Sequence, residues 1–338
     1  MKRVLITGGA GFIAHHVIDT ILTETDWEVV SLDRLDFSGN LNRLHDVLKD
    51  NKNKKRVKVV HHDLKAELNP MIENLIGKVE YILHLAAGSH VDRSIDNPLE
   101  FVYDNVVGTC NILNFARKQD RLERFVYFST DEVFGPAPDT IKYKEMDRYN
   151  STNPYSASKA GGEELCVAFE NTYSIPMFIT HTMNVFGERQ HPEKYIPLCI
   201  RRIRDGDKIF IHADSDKTTP GSRHYIHAKD VSDGLLFLLK NNINVDKDST
   251  GAKLQKFNIV GKEEVDNYRL AATIAEIQNR PLNFELVDFH SSRPGHDLRY
   301  ALDGSLMESL GWRPKYSFTD RIDQVTNWYL TNREWLDL

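Results

Sequence analysis

Val4-Leu5-Ile6-Thr7-Gly8-Gly9-Ala10-Gly11-Phe12-Ile13-Ala14, near the amino terminus, decides the fold class of this chain. An apolar run that enters Thr and two glycines reads as a buried strand ending in a tight turn. Gly8 permits the turn, and Gly11 lets a pyrophosphate approach the amide groups of the helix that follows. Ala14 takes the third small position, where helix and strand pack closely. Asp33 ends the next strand, at the position that hydrogen-bonds the ribose hydroxyls of a dinucleotide. Its charge repels a 2′-phosphate, so NAD is expected rather than NADP, with Arg34 beside it pulling the other way.

Outward from this turn, short apolar strands alternate with helical stretches. Val4–Thr7, Glu28–Leu32, Val57–Val60, Tyr81–Leu85, Phe125–Phe128 and Phe178–Thr182 read as strands, and Pro98–Lys118 and Ser156–Tyr173 as helices. That order predicts an α/β fold with a doubly wound parallel (Rossmann-type) sheet and right-handed crossovers. After Asn184 the punctuation by Pro and Gly increases, which predicts a smaller α/β carboxyl-terminal substrate domain. The expected division is 1–183 with 225–250 returning to it, against 184–224 and 251–338. Asp63 follows the third strand, placed to meet an adenine or to cap a helix over Leu64–Leu75. Ala86-Ala87-Gly88 ends the fourth strand with residues small enough for a cofactor to approach.

At 338 residues, 41% hydrophobic and 27% charged, the chain has the composition of a globular protein. A net charge of −6 gives no general attraction to nucleic acid or to anionic membranes. The three cysteines, Cys110, Cys166 and Cys199, form no CxxC pair, which argues against zinc or a disulfide framework. No apolar run reaches the ~20 residues of a membrane span. The start of the chain enters a strand directly, so a cytoplasmic, reduced protein is expected.

The chemistry gathers at two further motifs. Ser129-Thr130-Asp131-Glu132 sets two carboxylic acids at the end of the buried strand Phe125–Phe128. Tyr155-Ser156-Ala157-Ser158-Lys159 puts Tyr and Lys at i, i+4, on one face of a helix. A lysine ammonium and a nicotinamide cation are expected to favour the Tyr155 phenolate and make it a base near neutral pH.

TGGAGFI, LDRLDFSGNL, AAGSHVDRSI, NVVGT, STDEVFG, NPYSASKAG, PEKYIPL, RPGHDLRYALD and LGWRP follow one another in the order of the extended short-chain dehydrogenase/reductases. The chain resembles the nucleotide-sugar 4,6-dehydratases of that superfamily, most closely the dTDP-glucose 4,6-dehydratases, from end to end. Epimerases of the superfamily resemble the rest but usually carry small polar residues in place of Asp131 and Glu132. The resemblance implies that Tyr155 takes the proton of the sugar 4-hydroxyl, with Thr130 on the same oxygen, while C4 hydride passes to NAD. Glu132 would then remove the C5 proton and Asp131 protonate the departing 6-hydroxyl, before hydride returns to C6.

The expected cofactor contacts are Gly8, Gly11, Phe12, Ile13, Asp33, Asp63, Leu64, Ala86, Ala87, Tyr155 and Lys159. The expected substrate contacts are Ser89, Asn184, Glu193, Lys194, Arg223, Asn258, Arg293 and Tyr300, with the two arginines clamping a diphosphate. No metal is expected. Gly88, Gln190, His224 and a longer turn at Ala213–Ser222 depart from the family pattern, all expected near the nucleotide and sugar pocket. Helices over 98–118 and 156–173 resemble the pair that forms a four-helix dimer interface in relatives, implying a homodimer. The alternatives are an epimerase or decarboxylase that uses Tyr155 and NAD without needing Asp131 and Glu132, or a non-catalytic NAD-binding protein.

Overall fold

The six expected strands form as β1 (Arg3–Thr7), β2 (Glu28–Asp33), β3 (Val57–His61), β4 (Tyr81–His84), β5 (Arg124–Thr130) and β6 (Met177–Thr182). They are seen in a computed structural model that describes residues 1–49, 51–138, 140–241, 243, 254–288 and 299–337. A seventh strand, Gln255–Ile259, pairs parallel with β6, so the order is 255–259, β6, β5, β4, β1, β2, β3. That strand corrects the expected division of the chain, which had assigned residues 251–338 to the other unit. Its pattern Gln-Lys-Phe-Asn-Ile mixes polar and apolar positions, yet its last three residues are buried against β6. Only the pairing, with a strand nearly 80 residues away, reveals it.

The sheet is parallel throughout and covered on both faces, as its continuous apolar strands require. On one face Phe12–Glu24 packs against Ala228–Lys240, with Ile18, Leu22, Val231 and Leu235 in a common core. On the other, Ile112, Leu113 and Phe115 join Leu5, Ile82 and Phe125. A third core, built from Ile200, Ile211, Leu270, Ile274 and Ile322, belongs to the carboxyl-terminal part, where the remaining strands pair in two-stranded units.

The helix expected over 98–118 is interrupted by a π turn at Tyr103–Val107, between Pro98–Val102 and Gly108–Ala116. Asn105 within that turn bonds Gly88 through both its oxygen (2.9 Å) and its nitrogen (3.0 Å), and also reaches Ser158 Oγ at 2.9 Å. The extra residue thus aims an amide that ties the end of the fourth strand to the Tyr155 helix, in keeping with π turns at working sites. The helix expected over Leu64–Leu75 is shorter. Asp63 accepts from Lys65 N within a turn, and Asn69 caps Pro70–Ile76, with Pro70 in the first turn. No described helix is long and apolar enough to cross a membrane.

Candidate active site

A cleft of about 1470 Å³ runs along the carboxyl ends of β1, β4, β5 and β6, where open α/β sheets bind ligands. It exceeds a pocket for one drug-sized molecule, leaving room for a dinucleotide and a second ligand. At one end lies the glycine turn. Gly8 has φ +67°, and a Cβ there would meet the backbone of Ala86 at 2.9 Å, so only glycine brings β1 this close to the end of β4. The helix Phe12–Glu24 begins at Gly11 with no side-chain cap, leaving its first amides for an anion. Asp33 accepts from Ala10 N at 3.0 Å and Leu35 N at 2.8 Å, and so holds the glycine turn in place. Burial pushes its carboxyl up against the pull of those two amides. Arg34 bonds Asp36 at 2.6 Å and forks onto Asp104 at 2.6 and 3.1 Å. Its guanidinium therefore faces carboxylates, which removes the sequence argument for a 2′-phosphate.

Further along, β5 delivers the acid pair. After Thr130 the chain makes a tight turn, Asp131–Phe134, anchored by fully buried Val133 and Phe134. Gly135 ends it at φ +76°, where any Cβ would strike Asn150 O at 2.3 Å. Asp131 is buried and accepts from Thr130 Oγ1 at 3.0 Å. Burial first, and the charge of Glu132 second, push its carboxyl up to about 7. Glu132 is more open, and Asn153 Nδ2 donates to its Oε2 at 3.0 Å. Asn153 also caps the helix Pro154–Tyr173 in a capping box with Ser156. One amide therefore positions both Glu132 and the helix that carries Tyr155. Asn-Pro ahead of the Tyr155 motif is a cap signature that sequence reasoning had available and left unused.

Tyr155 and Lys159 share a buried helix face, and the groups around them act on both. Burial, then Glu132 and Asp131, push the Tyr155 phenol well above its ordinary value, with only the Thr130 hydroxyl bond opposing. The Lys159 ammonium points to Phe128 O at 2.7 Å and lies 4.2 Å from the centre of the Tyr127 ring. Burial lowers it to about 8. The phenol is thus protonated in the free protein, and a cationic ligand must supply what the lysine alone does not.

Of the expected substrate residues, Ser89, Asn184, Glu193, Lys194, Arg223 and Tyr300 all line the cleft. Arg223 stacks 5.0 Å above the Tyr300 ring, and its charge draws the Asp131 carboxyl down, which places the guanidinium near the acid pair. Glu193 lies within 3.3 Å of Arg93 and 3.7 Å of His90, a side-chain meeting that sequence reasoning missed. Asn258 is corrected: it is fully buried and donates to Tyr143 O at 3.1 Å and Asp303 O at 3.0 Å, joining segments behind the cleft. Arg293 lies outside the described residues. The expected cofactor residues Gly8, Gly11, Phe12, Ile13, Asp33, Asp63, Leu64, Ala86 and Ala87 line the same cleft. Among the family departures, Gly88 and Gln190 line it; His224 and the turn at Ala213–Ser222 do not. Among the described residues no group of His, Cys, Asp and Glu could hold a metal.

Residues 5–325 match the family described as GDP-mannose 4,6 dehydratase. The chain belongs to that family. Among members of this dehydratase family, it is 34% identical to a dTDP-glucose 4,6-dehydratase of Escherichia coli, over 98% of this chain and 95% of that protein. The crystal structure of DesIV, a dTDP-glucose 4,6-dehydratase from Streptomyces venezuelae with NAD bound, superposes with a TM-score of 0.85 at 33% identity, covering 98% of each chain. A UDP-glucose 4-epimerase of Thermus thermophilus in complex with NAD has nearly the same fold, with a TM-score of 0.81 at 24% identity over 96% of this chain and 98% of its own. Fold alone therefore does not separate dehydratase from epimerase.

Proposed function

We propose that this protein dehydrates a nucleoside-diphosphate hexose, of the dTDP-glucose or UDP-glucose type, to the 4-keto-6-deoxy sugar. It is a hydro-lyase with NAD as a regenerated cofactor. The observation that carries this reading is the unequal acid pair. Asp131 is buried and raised to about 7, and so holds a proton near neutral pH; Glu132, next to it, is open to the same cleft. Paired carboxyls whose environments differ take opposite acid and base roles.

The residues that line the glycine end of the cleft suit NAD: uncapped helix amides for its pyrophosphate, and Asp33 for a ribose. NAD bound there supplies the acceptor for the C4 hydride and returns that hydride to C6. Tyr155 takes the proton of the 4-hydroxyl, and Thr130, bonded to the phenol, holds the same oxygen. The ketone formed at C4 acidifies the C5 hydrogen. Glu132 removes that proton while Asp131 gives its own to the 6-hydroxyl, so the C6–O bond breaks, water leaves and a C5–C6 double bond forms. Glu132 then returns a proton to C5 as C6 is reduced. The steps balance without an outside oxidant or reductant, and the proton that Tyr155 gained replaces, by way of solvent, the one that Asp131 gave.

The unit 1–183 holds the cofactor, and the residues after 184 that line the cleft hold the nucleotide sugar. Leu99, Val102 and Tyr103 are exposed apolar side chains on the 98–118 helical segment and support a homodimer through it and helix 156–173. Cys110, Cys166 and Cys199 are all unpaired, in keeping with a cytoplasmic setting. The test is incubation with a panel of nucleotide sugars and a catalytic amount of NAD, read by mass spectrometry. Loss of one water from a nucleotide hexose is expected. A C4 epimer or carbon dioxide as the product would overturn the reading.

A further inference from the structure

The helix Pro154–Tyr173 presents a third ionisable group on the face that carries Tyr155 and Lys159. Glu163 lies one turn beyond Lys159 and is fully buried. The reaction above assigns it nothing. A lone buried carboxylate is costly, and a core position one turn from a sheet would normally be apolar.

Four elements converge on this carboxylate. Ser129 Oγ, from β5, donates to Oε1, and Tyr149, from the loop before the helix, donates to Oε2. His181 Nε2, from β6, lies 3.2 Å from Oε1, and Lys256 Nζ, from the edge strand 255–259, lies 3.4 Å from Oε2. Lys256 also bonds the Tyr149 hydroxyl. Lys159, Tyr127 and Cys166 complete the surrounding titratable groups, with Glu164 and Glu145 acting on Tyr149 and His181 from farther out.

The cluster touches the catalytic groups at two places. Ser129 immediately precedes Thr130, and Lys159 bonds the carbonyl of Phe128, so the helix grips consecutive residues of β5 through Lys159 and Glu163. The Glu163 charge is also the largest influence opposing the desolvation of Lys159.

We propose that Glu163 is a positioning residue for this reaction, holding Lys159 as an ammonium and fixing the strand end that presents Thr130 and Asp131. The proposal rests on the dehydratase reading of Tyr155 and Lys159. Burial alone would raise Glu163, but His181, Lys256 and Ser129 hold it down at about 2, so it is a permanent anion near neutral pH. Burial lowers Lys159 to about 8 even with that anion present. Without the anion, Lys159 loses its proton in the working range, and the positive charge that helps Tyr155 release its own is gone.

The direct test follows the titration of Lys159 in the full-length chain by carbon-13 lysine NMR, with Lys159→Met to identify the signal. In Glu163→Gln the Lys159 midpoint is expected to fall by about one pH unit or more. The alkaline limb of the dehydration rate should fall with it, a change that a purely structural defect does not produce. Glu163→Asp keeps the charge and should return the midpoint toward the native value. The double variant Glu163→Gln/Lys256→Met removes the Lys256 charge together with the anion and should show the same fall. A Lys159 midpoint unmoved in both Gln variants overturns the proposal, even if dehydration is confirmed. Failure of the native enzyme to dehydrate any nucleotide sugar would instead overturn the functional reading and leave the Lys159 titration standing.

Discussion

Asp131, just past the end of β5, and Glu163, one helical turn beyond Lys159, are two buried carboxyls whose environments drive them in opposite directions. Asp131 is raised to about 7 and Glu163 lowered to about 2. Burial pushes both upward, so burial is not what separates them. The partners are what separate them: the Thr130 hydroxyl and a backbone amide bond Asp131, which faces the charge of Glu132, whereas Glu163 meets Ser129, Tyr149, His181 and Lys256. A carboxylate with several side-chain donors and a cation stays ionised in a low-dielectric site, and one with few donors beside a second carboxylate is raised. The protein thus places a dischargeable acid at the cleft and a fixed charge behind it.

The contrast can be broken from either side. Asp131→Asn removes the acid and should lower the dehydration rate by roughly 10²–10⁴-fold while C4 oxidation continues, read as cofactor absorbance in a single turnover. Glu163→Ala should act on stability as well as on Lys159. It leaves Lys256 uncompensated in a buried site and should cost about 3–5 kcal/mol, measured by urea unfolding.

Asp131→Asn should also sharpen the comparison through pH. Folding raises this carboxyl from 3.8 to about 7, so its neutral form stabilises the protein below pH ~4, and that contribution is lost as pH rises through 7. Asparagine cannot ionise. The variant should match the native protein at pH 4 and exceed it by roughly 2–4 kcal/mol above pH 7, followed by thermal unfolding across that range. An equal difference at both pH values would mean that the Asp131 carboxyl is not raised. The smallest effect belongs to Asn153→Ala, where loss of the cap should cost about 1 kcal/mol. It should also release Glu132, visible as a lower rate of C5 exchange at unchanged C4 oxidation.

The parts legible in the sequence were those written in neighbouring residues. Thr7 to Ala14 carries the strand, the turn and the helix start in one run, and Tyr155 with Lys159 fixes a helix face by spacing alone. Asp131 and Glu132 could be assigned to a strand end because Phe125–Phe128 before them is wholly apolar. What escaped depends on partners far along the chain. Arg34 looked free to favour a phosphate until Asp104 met it across 70 residues. Asn258 looked like a cleft residue, yet it sits in the edge strand and bonds Tyr143 and Asp303 away from the cleft. Glu163 offered no local signal, since Ser129, His181 and Lys256 reach it from three separate strands. Spacing likewise showed the lysine beside Tyr155 but not the two acids that raise its phenol.

Deuterium incorporation at C5 tests the central claim, that adjacent acids of unequal charge divide the elimination between them. In heavy water, with substrate and NAD, Glu132→Gln should still oxidise C4 but incorporate no deuterium at C5, whereas Asp131→Asn should retain that exchange and fail to release water. Undiminished C5 exchange in Glu132→Gln would contradict the account.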